Sequence, residues 1–255
     1  PSGTAEPTPP DYQLNIIGGF TDAFHFHPII VRDSTATIYL HNNMLDYNHS
    51  YYVTIDEGVL TLPDHSFHGI SKEHNWSFKT KDSAPASTDT LIVDANGQGD
   101  FNTVQGALDF IPDFSQKQTV ILIQAGDYEE LVYARNKTNV KIKGAGMDRT
   151  RVHYANNEVF NPHPLTVKTT EWPATFPSRR AAFMLDNCND ILLEDLTIAT
   201  DLHGQAEGLL LNGERIALYS VHIIGSGDAL QANGTIYMES CELDGGGDTI
   251  LGRGS

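Results

Sequence analysis

Positive charge is what this chain has least of. Its 255 residues hold 16 Lys and Arg against 33 Asp and Glu, a formal net charge of −17. That average field repels polyanions, which excludes nucleic-acid binding. Cysteine is nearly absent: Cys188 and Cys241 are the whole complement, too few for a disulfide scaffold or a Cys-based zinc site. No run of 18 apolar residues occurs, so no helical membrane span is expected. The opening residues carry no basic-then-apolar leader, so a signal peptide is expected to have been removed already or never to have been present. What is there has the balance of a folded chain: 40% hydrophobic and 19% charged residues, with Gly and Pro at ordinary levels.

At about 150 residues per domain, the length allows one large domain or one large and one small. Residues 1–10, PSGTAEPTPP, read as a tail or linker. Residues 11–81 hold short β-branched and aromatic runs at 29–31, 35–40, 51–55, 59–62 and 76–79. Asp, Asn, Gly and Pro clusters separate them, as in a small β-sandwich module. A Ser- and Asp-rich linker at 82–90 leads into the main domain, 91–255. One helix is predicted there, over NTVQGALDFIP, where Val104, Ala107, Leu108 and Ile111 follow the i, i+3, i+4, i+7 spacing. Asn102 or Thr103 can cap it and Pro112 stops it.

Beyond the helix the chain repeats itself. Writing NDILLEDLTI, ERIALYSVHI and GTIYMESCEL above one another aligns Ile191, Ile216 and Ile236, then Leu193, Leu218 and Met238. Leu196, Val221 and Cys241 form a third column, and Ile198, Ile223 and Leu243 a fourth. NVKIKGAG at 139–146 looks like an earlier rung. No two-residue hairpin signal joins the rungs and no helix lies between them. The expected fold is therefore all-β: a right-handed parallel β-helix whose coils stack at roughly 4.8 Å, preceded by the small sandwich. Asp228 lies 12 residues after Ile216, and Asp248 lies 12 residues after Ile236. Stacking puts the two carboxylates within roughly 5 Å, where one can serve as nucleophile and the other as general acid. Gln205, one coil earlier, has an amide able to donate to an oxyanion.

From about Leu91 onward the chain resembles the pectin methylesterases, carbohydrate esterase family 8. VDANGQGDFNTVQGALDFIPD looks like that family's opening strand, Gly-rich turn and helix, and GDYEE carries its G-x-Y-x-E signature with Gly126, Tyr128 and Glu130. QAEGL at 205–209 stands for QAVAL, GDAL at 227–230 for QDTL, and DTILG at 248–252 for DFIFG. The resemblance implies hydrolysis of galacturonate methyl esters in pectin. Asp248 would be the nucleophile, Asp228 the acid and base, and Gln205 the oxyanion donor. It implies no metal and no organic cofactor, a monomer, and a secreted, extracellular, periplasmic or cell-surface location.

Three departures accompany it. Gly227 replaces the Gln of QDTL, and Thr249 and Leu251 replace the two Phe of DFIFG. The family's LGRPW arginine lies on a later coil, whereas this chain reaches LGRGS, with Arg253 as a nearer candidate to orient Asp248. The 255 residues are accordingly expected to be part of a longer protein. Trp172 and Phe176 in TTEWPATFPSRR, together with Tyr237, are candidates to stack on pyranose rings. Residues 36–60 with FHGI and WSFKT resemble bacterial Ig-like domains, and His25 and His27, on one face of a strand within 11–81, are read as scattered surface histidines. Two other readings stand beside the esterase: a calcium-dependent pectate lyase with Asp228 and Asp248 as ligands, and a non-catalytic pectin-binding β-helix.

Overall fold

The computed structural model describes residues 12–20, 23–41, 44–59, 61, 67–74, 76–162 and 179–255. Among the described residues twelve strands form one sheet in which every pair runs parallel, wound into a β-helix. The expected columns are in register. Val140 pairs with Ile191, Ile191 with Ile216 and Ile216 with Ile236, while Ile142, Leu193, Leu218 and Met238 follow in the next column. Leu196 faces Val221, and Ile198, Ile223 and Leu243 line up behind them. Ile142, Leu193, Leu218, Val221 and Ile223 are wholly or almost wholly buried. Each such side chain contributes about 1.5–3 kcal/mol of burial, and the column as a whole sets the coil register. A further column, Val132, Phe183, Leu209, Leu230 and Ile250, lies on the face that leads into the candidate site.

Within a coil, two strands run on into each other through single left-handed residues. Asp195, Ser220 and Ser240 share one corner on successive coils, with φ of 58°, 52° and 55°. Asn139, Asp190 and Arg215 share another, with φ of 58°, 56° and 56°. A period-2 strand that kept alternating would turn Leu196 and Ile198 outward after Ile191 and Leu193. One residue at positive φ slips the phase, so both faces send their apolar residues inward.

The helix forms at Val104–Phe110, capped by Thr103, whose side chain accepts from the Gly106 N–H. Val104, Ala107 and Leu108 are fully buried and Ile111 almost so. Its free N–H groups are met by a residue from the signature GDYEE. The N–H of Val104 donates to Glu130 Oε1 at 2.7 Å and that of Gln105 to Oε2 at 2.9 Å. Tyr128 of the same signature is buried and donates to the Gln124 carbonyl.

The stretch expected as one module at 11–81 is divided between two compact units. Residues 1–41 group with 87–255, and 42–86 form a second compact unit. In the first unit two antiparallel hairpins, Gln13–Asn15 with Phe24–Phe26 and Ile29–Arg32 with Thr35–Ile38, precede the β-helix. Ile17, Phe24 and Phe26 are buried with Tyr133, Tyr154, Phe160, Met184 and Leu210 in a second apolar cluster. These residues find their apolar partner on the outer face of the β-helix and not in a second sheet. Gly18, at φ +64°, makes that approach possible, since a Cβ there would sit 1.7 Å from the Tyr133 carbonyl oxygen. His25 and His27 are likewise half-buried and not scattered over the surface: His25 stacks on Tyr12 and His27 on Phe160. Unit 42–86 contains one two-stranded antiparallel sheet, Ser50–Tyr52 with Ser77–Lys79, and an isolated bridge between Ile55 and Ile70. Among its described residues no second sheet faces the first.

Burial lifts the Glu130 carboxyl from 4.5 to about 7, against the pull of its two backbone donors. A folded-state value above the unfolded one stabilises the fold fully below about pH 4.5, and that contribution is lost as pH rises through about 7. The amount is on the order of 3 kcal/mol. Urea unfolding at pH 4.5 and pH 8 should therefore show the wild type losing about that much relative to Glu130→Gln. A pH-independent difference between the two would refute the assignment.

Candidate active site

Three turns at one corner of successive coils carry the residues singled out in the sequence. The lowest is the turn containing Gln205. The N–H groups of Ser226 and Gly227 donate to the Ala206 carbonyl at 3.0 and 3.2 Å, stacking the second turn on it. In the same way Gly246 donates to the Ser226 carbonyl at 3.1 Å and Gly247 to the Gly227 carbonyl, stacking the third turn on the second. Asp228 and Asp248 thus occupy equivalent places one coil apart. The Asp248 N–H donates to Asp228 Oδ1 at 3.0 Å, and the Ala229 N–H donates to the Asp248 carbonyl at 3.3 Å. Asp228 is buried and Asp248 is exposed.

The Gln205 turn is held from the other side as well. Glu158 N–H donates to the Gln205 carbonyl and Asn157 Nδ2 to the His203 carbonyl, both at 3.0 Å. Gly204 N–H donates to Ser226 Oγ at 3.1 Å. This crowding accounts for the glycine at 227. A Cβ there would lie 3.0 Å from the Gly204 carbonyl oxygen and 3.3 Å from the Ala206 nitrogen. The glutamine of the related motif would have to push the Gln205 turn back by a few tenths of an ångström.

Sequence reasoning missed the cation of the site. Arg180 donates from Nε to Glu207 Oε1 at 2.6 Å and from Nη1 to Gln205 Oε1 at 3.2 Å, and its Nη2 lies 3.7 Å from Asp228 Oδ2. The Glu207 side chain is completely buried. Burial pushes its carboxyl up, Arg180 pulls it down, and the charge of Asp228 pushes it up again. A signal was present in the sequence. Glu207 is the acid in QAEGL, at a place where the related motif has an apolar Val, and a buried acid requires a partner.

The other candidates make the following contacts. Tyr237 packs its ring on Tyr219 at 5.8 Å and donates to Glu239, and none of these residues belongs to the aspartate group. The Arg253 N–H donates to Asn233 Oδ1 at 3.2 Å, whereas the guanidinium beside Asp228 is that of Arg180. Trp172 and Phe176 lie outside the described residues. A separate group, Glu129, His153 and Asp201, brings three potential ligand atoms within 4.8 Å of one another. Its carboxylates are already engaged: Arg32 holds Glu129, and Arg151 and His153 Nδ1 hold Asp201 at 2.9 and 2.5 Å. It is an ion-pair network.

The pectinesterase family profile matches residues 90–255, about two thirds of the chain. The chain belongs to the pectinesterase family. Its relatives in Arabidopsis thaliana include probable pectinesterase 8, 30% identical over 178 residues that cover 68% of this chain and 44% of that protein. Putative pectinesterase 14 is 30% identical over 199 residues, covering 75% and 55%. The chain spans about half the length of these relatives. Among solved structures, the pectin methylesterase from Aspergillus niger superposes with a TM-score of 0.52 at 20% identity, covering 68% of this chain and 55% of that one. Escherichia coli YbhC gives 0.51 at 16% identity, covering 85% and 68%. At these identities the two structures speak for a shared fold.

The crowding at Gly227 can be measured. Gly227→Gln is expected to cost about 1–3 kcal/mol in urea unfolding, the usual range for an overpacked site. An unchanged midpoint would mean that the Gln205 turn gives way freely.

Proposed function

We propose that this pectinesterase-family chain carries the reacting groups of a pectin methylesterase, acting on galacturonate methyl esters. One observation supports the reading above others: Asp248 and Asp228 meet on stacked turns, joined at 3.0 Å, with Gln205 on the turn below. A carboxylate oxygen of Asp248, the exposed member, attacks the ester carbonyl carbon. The amide of Gln205 donates to the oxyanion that forms. When the C–O bond to the methoxy group breaks, protonated Asp228 gives its proton to the departing methanol, leaving an anhydride between Asp248 and the substrate acyl group. Asp228, now ionised, takes a proton from water as that water attacks the anhydride. Galacturonate leaves, Asp248 is regenerated and Asp228 is again protonated. A carboxylate is a weak nucleophile in water, so preorganised donors carry most of the rate gain.

A calcium-dependent lyase would need Asp228 and Asp248 to hold a divalent cation. Two features oppose this: Asp228 Oδ1 already accepts the Asp248 N–H, and Arg180 places a positive charge 3.7 Å from Oδ2. We further propose that the protein acts outside the cell, as a monomer, on esterified homogalacturonan.

Methanol release from methylated pectin tests the activity. The expected result is release that survives chelator, gives no unsaturated product, and drops at least about 10³-fold in Asp248→Asn. No release, or release equal to wild type in that variant, would sink the reading. The net charge of −17 makes a second prediction. At low salt, affinity should fall as pectin is demethylated, because the product is itself a polyanion. A rise in affinity would contradict it.

A further inference from the structure

Gln205 can serve as an oxyanion donor only if its NH2 end, and not its carbonyl end, is turned to the substrate. The two ends of an amide are nearly the same shape, so something must choose between them. A guanidinium has five N–H donors and no acceptor. The amide atom facing Arg180 Nη1 at 3.2 Å must therefore be oxygen, which leaves Nε2 as the free end. Arg180 is itself fixed from behind. Its Nε and Nη2 both reach Glu207 Oε1, at 2.6 and 2.5 Å, in a pocket where the acid is completely buried. Among the described residues no side chain other than Arg180 donates a hydrogen bond to the Glu207 carboxylate. At 3.7 Å, the approach of Arg180 to Asp228 is too long for a hydrogen bond.

Resting on the esterase reading above, we propose that Arg180, anchored by Glu207, is a positioning residue that sets the polarity of the Gln205 amide so that its NH2 faces the developing oxyanion. This explains why an acid occupies position 207, where the related motif has Val. The two charges come together: the fully buried Glu207 needs a cation, and Arg180, held by it, keeps Gln205 in one orientation.

Two cycles of variants test this. In melting experiments, Arg180→Met is expected to lower the midpoint by roughly 5 °C or more, because it strands the fully buried Glu207, and Glu207→Val by less, because Arg180 keeps Asp228 beside it. The double variant should lie above Arg180→Met, and a double no better than that single would overturn the pairing. The folded double variant then serves in kinetics. It should lose roughly 10²-fold in kcat with KM changed less than about threefold, a loss similar to that of Gln205→Ala. Adding Gln205→Ala to the double should lower kcat by less than about fivefold more, since the amide is already misoriented. Multiplying losses, or a raised KM with kcat retained, would overturn the positioning role while leaving the esterase reading intact. Absence of methanol release from the wild type would instead overturn the esterase reading and this inference with it.

Discussion

Everything described at the candidate site depends on parallel stacking in strict register. A coil contributes few contacts of its own, and its strands gain their hydrogen bonds from the coil above and the coil below. Once Leu209 pairs with Leu230 and Leu230 with Ile250, the turns that precede those strands have no freedom left. They stack as the strands do, and Asp228 and Asp248 meet as a consequence. The aspartate pair is thus held by two rows of backbone bonds and a column of apolar side chains, fully buried at Leu209 and Leu230. It does not rely on a dedicated scaffold of its own. Nor is the register spread evenly over the fold: it is set where the columns are fully apolar, as at Leu193 and Leu218, and passed to the turns.

What could be read from the sequence follows from the same fact. Repetition at the same place on successive coils turns a spatial relation into a linear one, so the columns at Ile191, Ile216 and Ile236 and the paired aspartates were visible by counting. The helix was visible because 3.6-residue spacing is local, and its cap was narrowed to two residues, of which Thr103 is the one used. Contacts between non-repeating parts left no such trace. Arg180 lies 25 residues from Gln205 and 27 from Glu207, in a segment outside the aligned columns. Only the misplaced acid of QAEGL hinted at it. The N-terminal strands are three or four residues long. At that length, period-2 patterning cannot tell a sandwich strand from a hairpin laid on another surface. Phe24 and Phe26 fall within the stretch 11–81 read as a separate module, and they are part of the β-helix unit.

The scarcity of basic residues acquires a structural meaning as well. Arg32, Arg135, Lys137, Lys141, Lys143, Arg151, Arg180 and Arg215 all lie against carboxylates. Many of these pairs join neighbouring coils, as Arg135 does with Asp186 and Arg215 with Asp190. Much of the positive charge in the β-helix is used to bind coil to coil, and the excess of acid is left to define the outer field. That Arg180 is placed behind Gln205, and not in the open, belongs to the same economy.

The single-residue corners at Asp195, Ser220 and Ser240 carry a further meaning for how such a chain can change. In an ordinary strand, gaining or losing one residue inverts every side chain downstream, and the error runs to the end of the segment. Here each face of a coil is only a few residues long and ends at a backbone position that resets which way the next face points. A length change is then confined to the face where it occurs. The coils of 25 and 20 residues that lie side by side in this protein are tolerated on those terms: each corner works as a punctuation mark, and a misspelling on one face is not carried into the next.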